Sequence, residues 1–177
     1  MNKIKIQYFK TPYGELIIGS YQNKLCLCDW RYRKMRNEID ARIQKGINSS
    51  YSEEDTDEIQ ETKHQLEEYF KGERKSFGIP LLMVGTDFQQ SVWNELIKIP
   101  FGKTESYLGL SQKLGNEKAI RAVAAANGAN AISIIIPCHR IIGSDGKLIG
   151  YAGGLDAKKK LLHLEGFTGG VEQMKLF

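Results

Sequence analysis

The sequence predicts an α/β (α+β) protein of two small units, an antiparallel sheet with a covering helix followed by a mostly helical domain. Three observations predict it. Apolar and polar residues alternate in short, turn-punctuated runs through residues 4–30. The apolar period becomes helical after Ile59 and again after Asp87. Residues 80–85 separate the two patterns as a connector, which sets the expected domains at 1–82 and 86–177.

At 177 residues the chain can bury a sizeable core. A net charge of +4 and a pI near 8.9 permit a polyanionic partner without requiring one. Three cysteines, an odd number, and an opening Met1-Asn2-Lys3-Ile4-Lys5 without an apolar signal core lead us to expect a reducing cytoplasm and no disulfides. The apolar runs are far too short to cross a bilayer, so a soluble protein with no membrane partner is expected.

In the first unit, residues 4–8, 15–19 and 24–30 read as three strands, turned at Pro12-Tyr13-Gly14 and Gln22-Asn23. Cys26 and Cys28 share a face of the third strand, which suits a metal pair or two core residues; no histidine lies nearby in sequence, which favours the core. Arg31, Arg33, Lys34 and Arg36 form a basic run, and residues 52–58 an acidic one around an irregular segment. Both are expected to be solvated surface. Ile59, Leu66, Tyr69 and Phe70 recur at helical spacing until Lys71-Gly72.

The second unit opens with Thr86-Asp87-Phe88-Gln89, a capping-box pattern, and a helix carrying Phe88, Val92, Trp93, Leu96 and Ile97 on one stripe. Ser106 can cap a short helix that Gly115 ends, and Asn116 can cap another over residues 117–127. Two short helices joined by a tight turn read as a helix-turn-helix. Ala119, Ala122, Ala124, Ala125 and Ala126 leave the second helix nearly smooth beside Lys118 and Arg121, which fits either close approach to DNA or tight core packing.

Residues 134–136, three isoleucines, predict a buried strand that Pro137 stops before Cys138-His139-Arg140. Cys138 is either a small core hydrophobe or a reactive thiol with a titratable neighbour, placed where burial should be ending. Beyond it, Gly150-Tyr151-Ala152-Gly153-Gly154 suits a loop that approaches a ligand closely, or a plain connector. A last helix over residues 156–165 sets Glu165 on the side of Leu161 and Leu162, where an inward carboxylate needs a partner; His139 is the candidate.

Six ordered landmarks complete the pattern: Pro100-Phe101-Gly102 with Ser106-Tyr107, Arg121-Ala122-Val123, Asn127-Gly128-Ala129-Asn130, Pro137-Cys138-His139-Arg140, the glycine loop, and His163-Leu164-Glu165-Gly166. Over residues 86–167 the chain resembles the methylated-DNA–protein-cysteine methyltransferase (O6-alkylguanine-DNA alkyltransferase) family. The resemblance implies a ribonuclease-H-like first domain and a winged helix-turn-helix-like second one. It implies single-turnover repair of O6-alkylguanine, with O4-alkylthymine left open as a second substrate, in double-stranded DNA, by a monomer that flips the base through the minor groove without cofactor or metal. Carried over by position, Cys138 is the alkyl acceptor, His139 a base working through water, and Glu165 the carboxylate orienting it. Tyr107 crowds the target phosphate and donates to the departing guanine. Arg121 fills the gap left by the base, with Ala122, Ala125, Asn127 and Gly128 on the DNA face. Asn130 braces the strand carrying Cys138, and Ile141, Tyr151, Ala152 and Gly153 line the base pocket.

Ala131 and Ala152 depart from the family, standing where many relatives have proline and some have serine. Two other classes remain open from the residues alone: a cysteine hydrolase using Cys138, His139 and Glu165, and a helix-turn-helix regulator.

Overall fold

The structure is a computed structural model that describes residues 2–167. The chain separates into two compact units, Met1–Thr86 and Asp87–Phe177.

In the first unit, β1 (Ile4–Thr11), β2 (Gly14–Tyr21) and β3 (Lys24–Trp30) form the antiparallel meander. Gln22 and Asn23, between β2 and β3, both have positive φ, the left-handed pair whose twist matches a two-residue hairpin. Ile4, Leu16, Ile18, Leu25 and Leu27 are buried. Helix α2 (Asp57–Phe70) is capped by the Thr56 hydroxyl, which accepts the Ile59 amide at 3.1 Å, and buries Ile59, Leu66 and Tyr69 over the sheet. Cys26 and Cys28 lie in this core, where burial pushes the Cys26 thiol up to about 12 and the Cys28 thiol higher still.

The segment between β3 and α2, expected to be irregular, carries two further elements. Helix α1 (Arg36–Ile47) buries only Ile39 and Ile43, and β4 (Tyr51–Glu53) pairs parallel with β1 to give the order β3-β2-β1-β4. The basic run is not simply solvated, because Asp29, with no exposure, draws it inward. Arg33 Nη1 and Arg36 Nη1 each donate to Asp29 at 3.1 Å, and Arg36 grips Asp40 through Nε and Nη2 at 3.0 and 2.9 Å. The acidic run is solvated as expected, with Glu53, Glu54, Asp55 and Asp57 all exposed, but it is not irregular throughout: Ser52 and Glu53 are in β4, Glu54 pairs with Lys5, and Asp57 begins α2. The connector is anchored too, since the Leu25 amide donates to the Pro80 carbonyl and the Leu82 amide to the Leu25 carbonyl, both at 2.8 Å.

In the second unit, α3 (Asp87–Ile97) buries Val92, Trp93 and Leu96, while Phe88 and Ile97 of the expected stripe are exposed. The Trp93 indole donates to the Ala126 carbonyl at 2.8 Å. Helix α4 (Tyr107–Lys113) starts at Ser106, whose hydroxyl accepts the Gly109 amide at 2.9 Å. The second helix is not one continuous helix from Glu117. A 3₁₀ turn (Glu117–Ala119) leads into α5 (Ile120–Gly128), and Asn116 makes no side-chain cap. Helix α6 (Leu155–Leu164) ends one residue earlier than expected, leaving Glu165 as its C-cap. Two short strands, β5 (Glu105–Ser106) and β6 (Ile141–Ile142), pair in parallel and bring the start of α4 beside the residues that follow Arg140. Among the described residues no helix is long and apolar enough to cross a membrane.

Candidate active site around Cys138

The isoleucine run is buried as its composition requires, but it is not a strand. Asn130 overrides the β propensity: its Oδ1 accepts the Ile132 amide at 3.0 Å and its Nδ2 donates to the Ile136 carbonyl at 2.9 Å. Within that clamp the Ile136 amide reaches back to the Ile132 carbonyl at 3.0 Å, and Ile134 takes φ +70°, a costly conformation for a β-branched residue. Asn130 therefore braces a tight turn, rather than a strand, immediately before Cys138.

Pro137 then opens a single 3₁₀ turn, Cys138–Arg140. Burial does not end there: Cys138 is 4 % exposed, His139 0 % and Arg140 6 %. The Cys138 carbonyl accepts the Ile141 amide, and Ile141, expected to line the base pocket, is buried.

Glu165 is buried and shared. His139 Nε2 lies 2.7 Å from Glu165 Oε2, while Arg140 Nε and Nη2 donate to Oε1 and Oε2 at 2.8 and 3.0 Å. Arg140 Nη1 also donates to the Ile99 carbonyl at 2.6 Å. Gly102, at φ +80°, is needed here because a Cβ would stand 3.0 Å from the Glu165 carbonyl. Burial opposes the charge on Glu165, but the His139 and Arg140 bonds outweigh it and hold the carboxyl well below its usual range. Burial lowers His139 against the pull of Glu165, so the imidazole is neutral near pH 7. A charged carboxylate can only accept, so Nε2 carries the ring proton and Nδ1 keeps its lone pair. Nδ1 is buried and makes no hydrogen bond among the described residues.

Across from this turn, Tyr107 is the first residue of α4, and its hydroxyl donates to the Ile149 carbonyl at 3.2 Å. Burial, and then the negative charge of Cys138, raise its pKa. Tyr151, Ala152 and Gly153 are half-buried, with the Tyr151 ring edge-on to His139 at 6.4 Å. On α5, Arg121, Ala122, Ala125 and Gly128 are all exposed and form one stripe. Asn127, expected on the same face, is instead buried, because it shares the inward side of α5 with Val123 and Ala126.

One buried group here escaped the sequence reading. Lys158, with no exposure, donates through Nζ to the carbonyls of Ile149 and Gly150 at 3.0 and 3.1 Å. Its spacing to Leu155, Leu161 and Leu162 puts it on the apolar stripe of α6, the signal that picked out Glu165. Among the described residues, no three His, Cys, Asp or Glu side chains are grouped to hold a metal ion.

Residues 4–83 match the family model described as 6-O-methylguanine DNA methyltransferase, ribonuclease-like domain, and residues 87–167 match its DNA binding domain. The chain is 43 % identical over 159 residues to the methylated-DNA–protein-cysteine methyltransferase of Methanosarcina acetivorans, covering 89 % of this chain and 96 % of that one. It is 40 % identical over 157 residues to the constitutive enzyme of Bacillus subtilis, covering 88 % and 92 %. The crystal structure of the Mycobacterium tuberculosis O6-methylguanine methyltransferase superposes with a TM-score of 0.76 at 35 % identity, covering 93 % of both chains. A structure of that M. tuberculosis protein in complex with DNA superposes at 0.78 with 36 % identity over 92 % of each. The chain belongs to the methylated-DNA–protein-cysteine methyltransferase family, and its activity is direct DNA repair, the transfer of an alkyl group from O6-alkylguanine in DNA to a cysteine of the protein itself.

Proposed function

We propose that Cys138 is the acceptor, that the exposed stripe of α5 enters the minor groove of double-stranded DNA carrying O6-alkylguanine, and that each molecule acts once, as a monomer without a cofactor. The observation that supports this best is the Glu165–His139 hydrogen bond behind Cys138, which leaves a neutral imidazole with its lone pair on Nδ1. A water between Nδ1 and the thiol carries the proton away, and Glu165 stabilises the imidazolium that forms.

The thiolate then attacks the O6-alkyl carbon in line. The S–C bond forms as the C–O6 bond breaks, and the electron pair passes into the guanine ring. Tyr107 donates to the ring as that charge grows, and the proton lost by the thiol balances the one the guanine gains. The base is held by amides at Tyr151 and Ala152, with Gly153 and the Ile141 carbonyl at the pocket edge. Arg121 fills the gap in the duplex, while Ala122, Ala125 and Gly128 let the backbone of α5 come close; the buried Asn127 supports that helix from behind. A thioether is not hydrolysed, and Cys26 and Cys28 sit in the core of the first unit, so no thiol is placed to regenerate Cys138.

The test is intact-mass measurement after mixing with a duplex containing one O6-methylguanine. We expect one added methyl group per protein on the Cys138 peptide, a plateau at one equivalent, and Cys138→Ser binding the alkylated duplex without transfer. Continued turnover, or a label on Cys26 or Cys28, overturns the assignment.

A further inference from the structure

Lys158 is a fully buried lysine that meets no carboxylate among the described residues. Its ammonium is held by two loop carbonyls, an arrangement that satisfies hydrogen bonds but leaves the charge unpaired, at a cost that an apolar residue on the same stripe of α6 would avoid. Packing alone therefore does not explain a lysine here.

The contacts point to a use. The Ile149 carbonyl that accepts from Lys158 at 3.0 Å also accepts from the Tyr107 hydroxyl at 3.2 Å. The glycine loop, α4 and α6 thus converge on one oxygen atom. Among the described residues, the titratable groups coupled electrostatically to the ammonium are Cys138 and His139 of the 3₁₀ turn, and Tyr107 of α4 meets it through the shared carbonyl. Glu165 is committed to His139 and Arg140, and on α6 itself Asp156 is exposed and pairs with Lys160 at 2.9 Å. Before charge grows on the guanine ring, the negative charge that the chemistry sets in this neighbourhood is the Cys138 thiolate.

We propose that Lys158 is a positioning residue for alkyl transfer: its ammonium clamps the loop at Ile149 and Gly150, holds Tyr107 through their common acceptor, and sets a positive charge beside the Cys138 thiolate, so that transfer requires Lys158 in its protonated form. The proposal rests on Cys138 as the acceptor.

Burial pulls the Lys158 ammonium down to about 8, against an opposing pull from the Cys138 thiolate. A neutral amine can still donate to a carbonyl, but it cannot stabilise a thiolate. Without Lys158, the rate should climb with pH as the thiol ionises and then level off. With it, the rate falls again on the alkaline side.

The experiment is the pH profile of transfer from free O6-benzylguanine, a substrate that needs no base flipping, with circular dichroism at each pH. For the wild type we expect a bell whose alkaline midpoint lies near 8 and whose far limb falls about tenfold per pH unit, while the fold persists. Persistence is expected because the lowered Lys158 stabilises the folded state progressively as pH rises above 8, where only the unfolded chain still binds the proton. Tyr107→Phe should keep the alkaline limb, showing that the phenol is not its source. Lys158→Arg, which retains charge, should lose that limb. Lys158→Met should be slower by about tenfold or more, with the acid limb moved up because the thiolate loses its neighbour.

A wild-type rate that stays level through pH 9.5, or an alkaline limb that vanishes in Tyr107→Phe, overturns the proposal, and these two profiles decide it even where the Lys158 variants do not fold. An alkaline limb that persists in Lys158→Arg, or a wild-type profile in folded Lys158→Met, does the same. A label found on a residue other than Cys138 would instead remove the underlying assignment, and peptide mapping distinguishes that case.

Discussion

Asp29 and Glu165 are both buried carboxylates gripped by arginine, but the rest of their surroundings differ. Asp29 accepts from Arg33 and Arg36, each at 3.1 Å, and Arg36 is itself locked onto Asp40. Glu165 accepts from Arg140 on one side and from His139, at 2.7 Å, on the other. A guanidinium does not give up its proton in a protein, so Arg33 and Arg36 hold Asp29 as a staple between β3 and α1. Replacing one guanidinium by an imidazole turns the same arrangement into a group that can take and return a proton. Arg140 fixes Glu165 in place, and His139 makes its charge useful.

The strongest way to break this comparison is to truncate both carboxylates. Asp29→Ala and Glu165→Ala each strand buried cations and should each lose about 3–5 kcal/mol in urea unfolding. Their chemistry should then diverge: Glu165→Ala slows alkyl transfer by ~10²–10⁴ per folded molecule, the range of a general base, whereas Asp29→Ala leaves the rate per folded molecule unchanged. A comparable loss of rate in Asp29→Ala would mean that the first unit takes part in the chemistry.

Glu165→Gln is the finer instrument, since it keeps the shape and removes the charge. Slower transfer by about tenfold, a raised apparent thiol pKa with free O6-benzylguanine, and near-normal affinity for alkylated duplex are expected. If the pH profile stays in place, Glu165 is only a structural partner of Arg140.

Much of this was legible beforehand, and the failures are physical. The meander, α2 and α3 announce themselves because their apolar stripes persist over several turns or strands. Helix α1 buries only Ile39 and Ile43 in a charged segment, and β4 is three residues long, so neither carries a period. The isoleucines before Cys138 have strand composition, but the Asn130 side chain supplies hydrogen bonds that a strand would have taken from a neighbour. Asn127 and the smooth alanines illustrate the ambiguity of small helix faces, for Ala122 and Ala125 are exposed while Ala126 and Asn127 pack inward. Glu165 could be picked out as an inward carboxylate; that Arg140 shares it depends on the 3₁₀ turn, which spacing does not reveal.

The comparison also extends to an exposed cation. Arg121 lies on the open face of α5, where it contributes little to stability. Arg121→Ala should slow repair in duplex DNA by about tenfold and barely affect reaction with free O6-benzylguanine, because only the duplex requires extrusion of the base. Equal losses on both substrates would remove the flipping role.

The smallest expected effect separates the two carboxylate clusters by pH alone. Burial holds the folded-state pKa of His139 below its ordinary 6.5, so below that pH the unfolded chain binds a proton that the folded chain refuses. Stability therefore declines as pH falls through 6.5, approaching ~1.4 kcal/mol per pH unit for one proton. Glu165 has the same sign lower down: its pairing is fully present above the ordinary 4.5 and is lost as pH falls towards its depressed value. The arginines around Asp29 add no corresponding step. Urea unfolding between pH 7.5 and pH 5 should thus show a loss of stability that begins near 6.5 and disappears in His139→Gln, where the amide can still donate to Glu165 but cannot ionise. If His139→Gln keeps the wild-type onset, the acid sensitivity belongs to another group, and His139 is not held neutral in the folded protein.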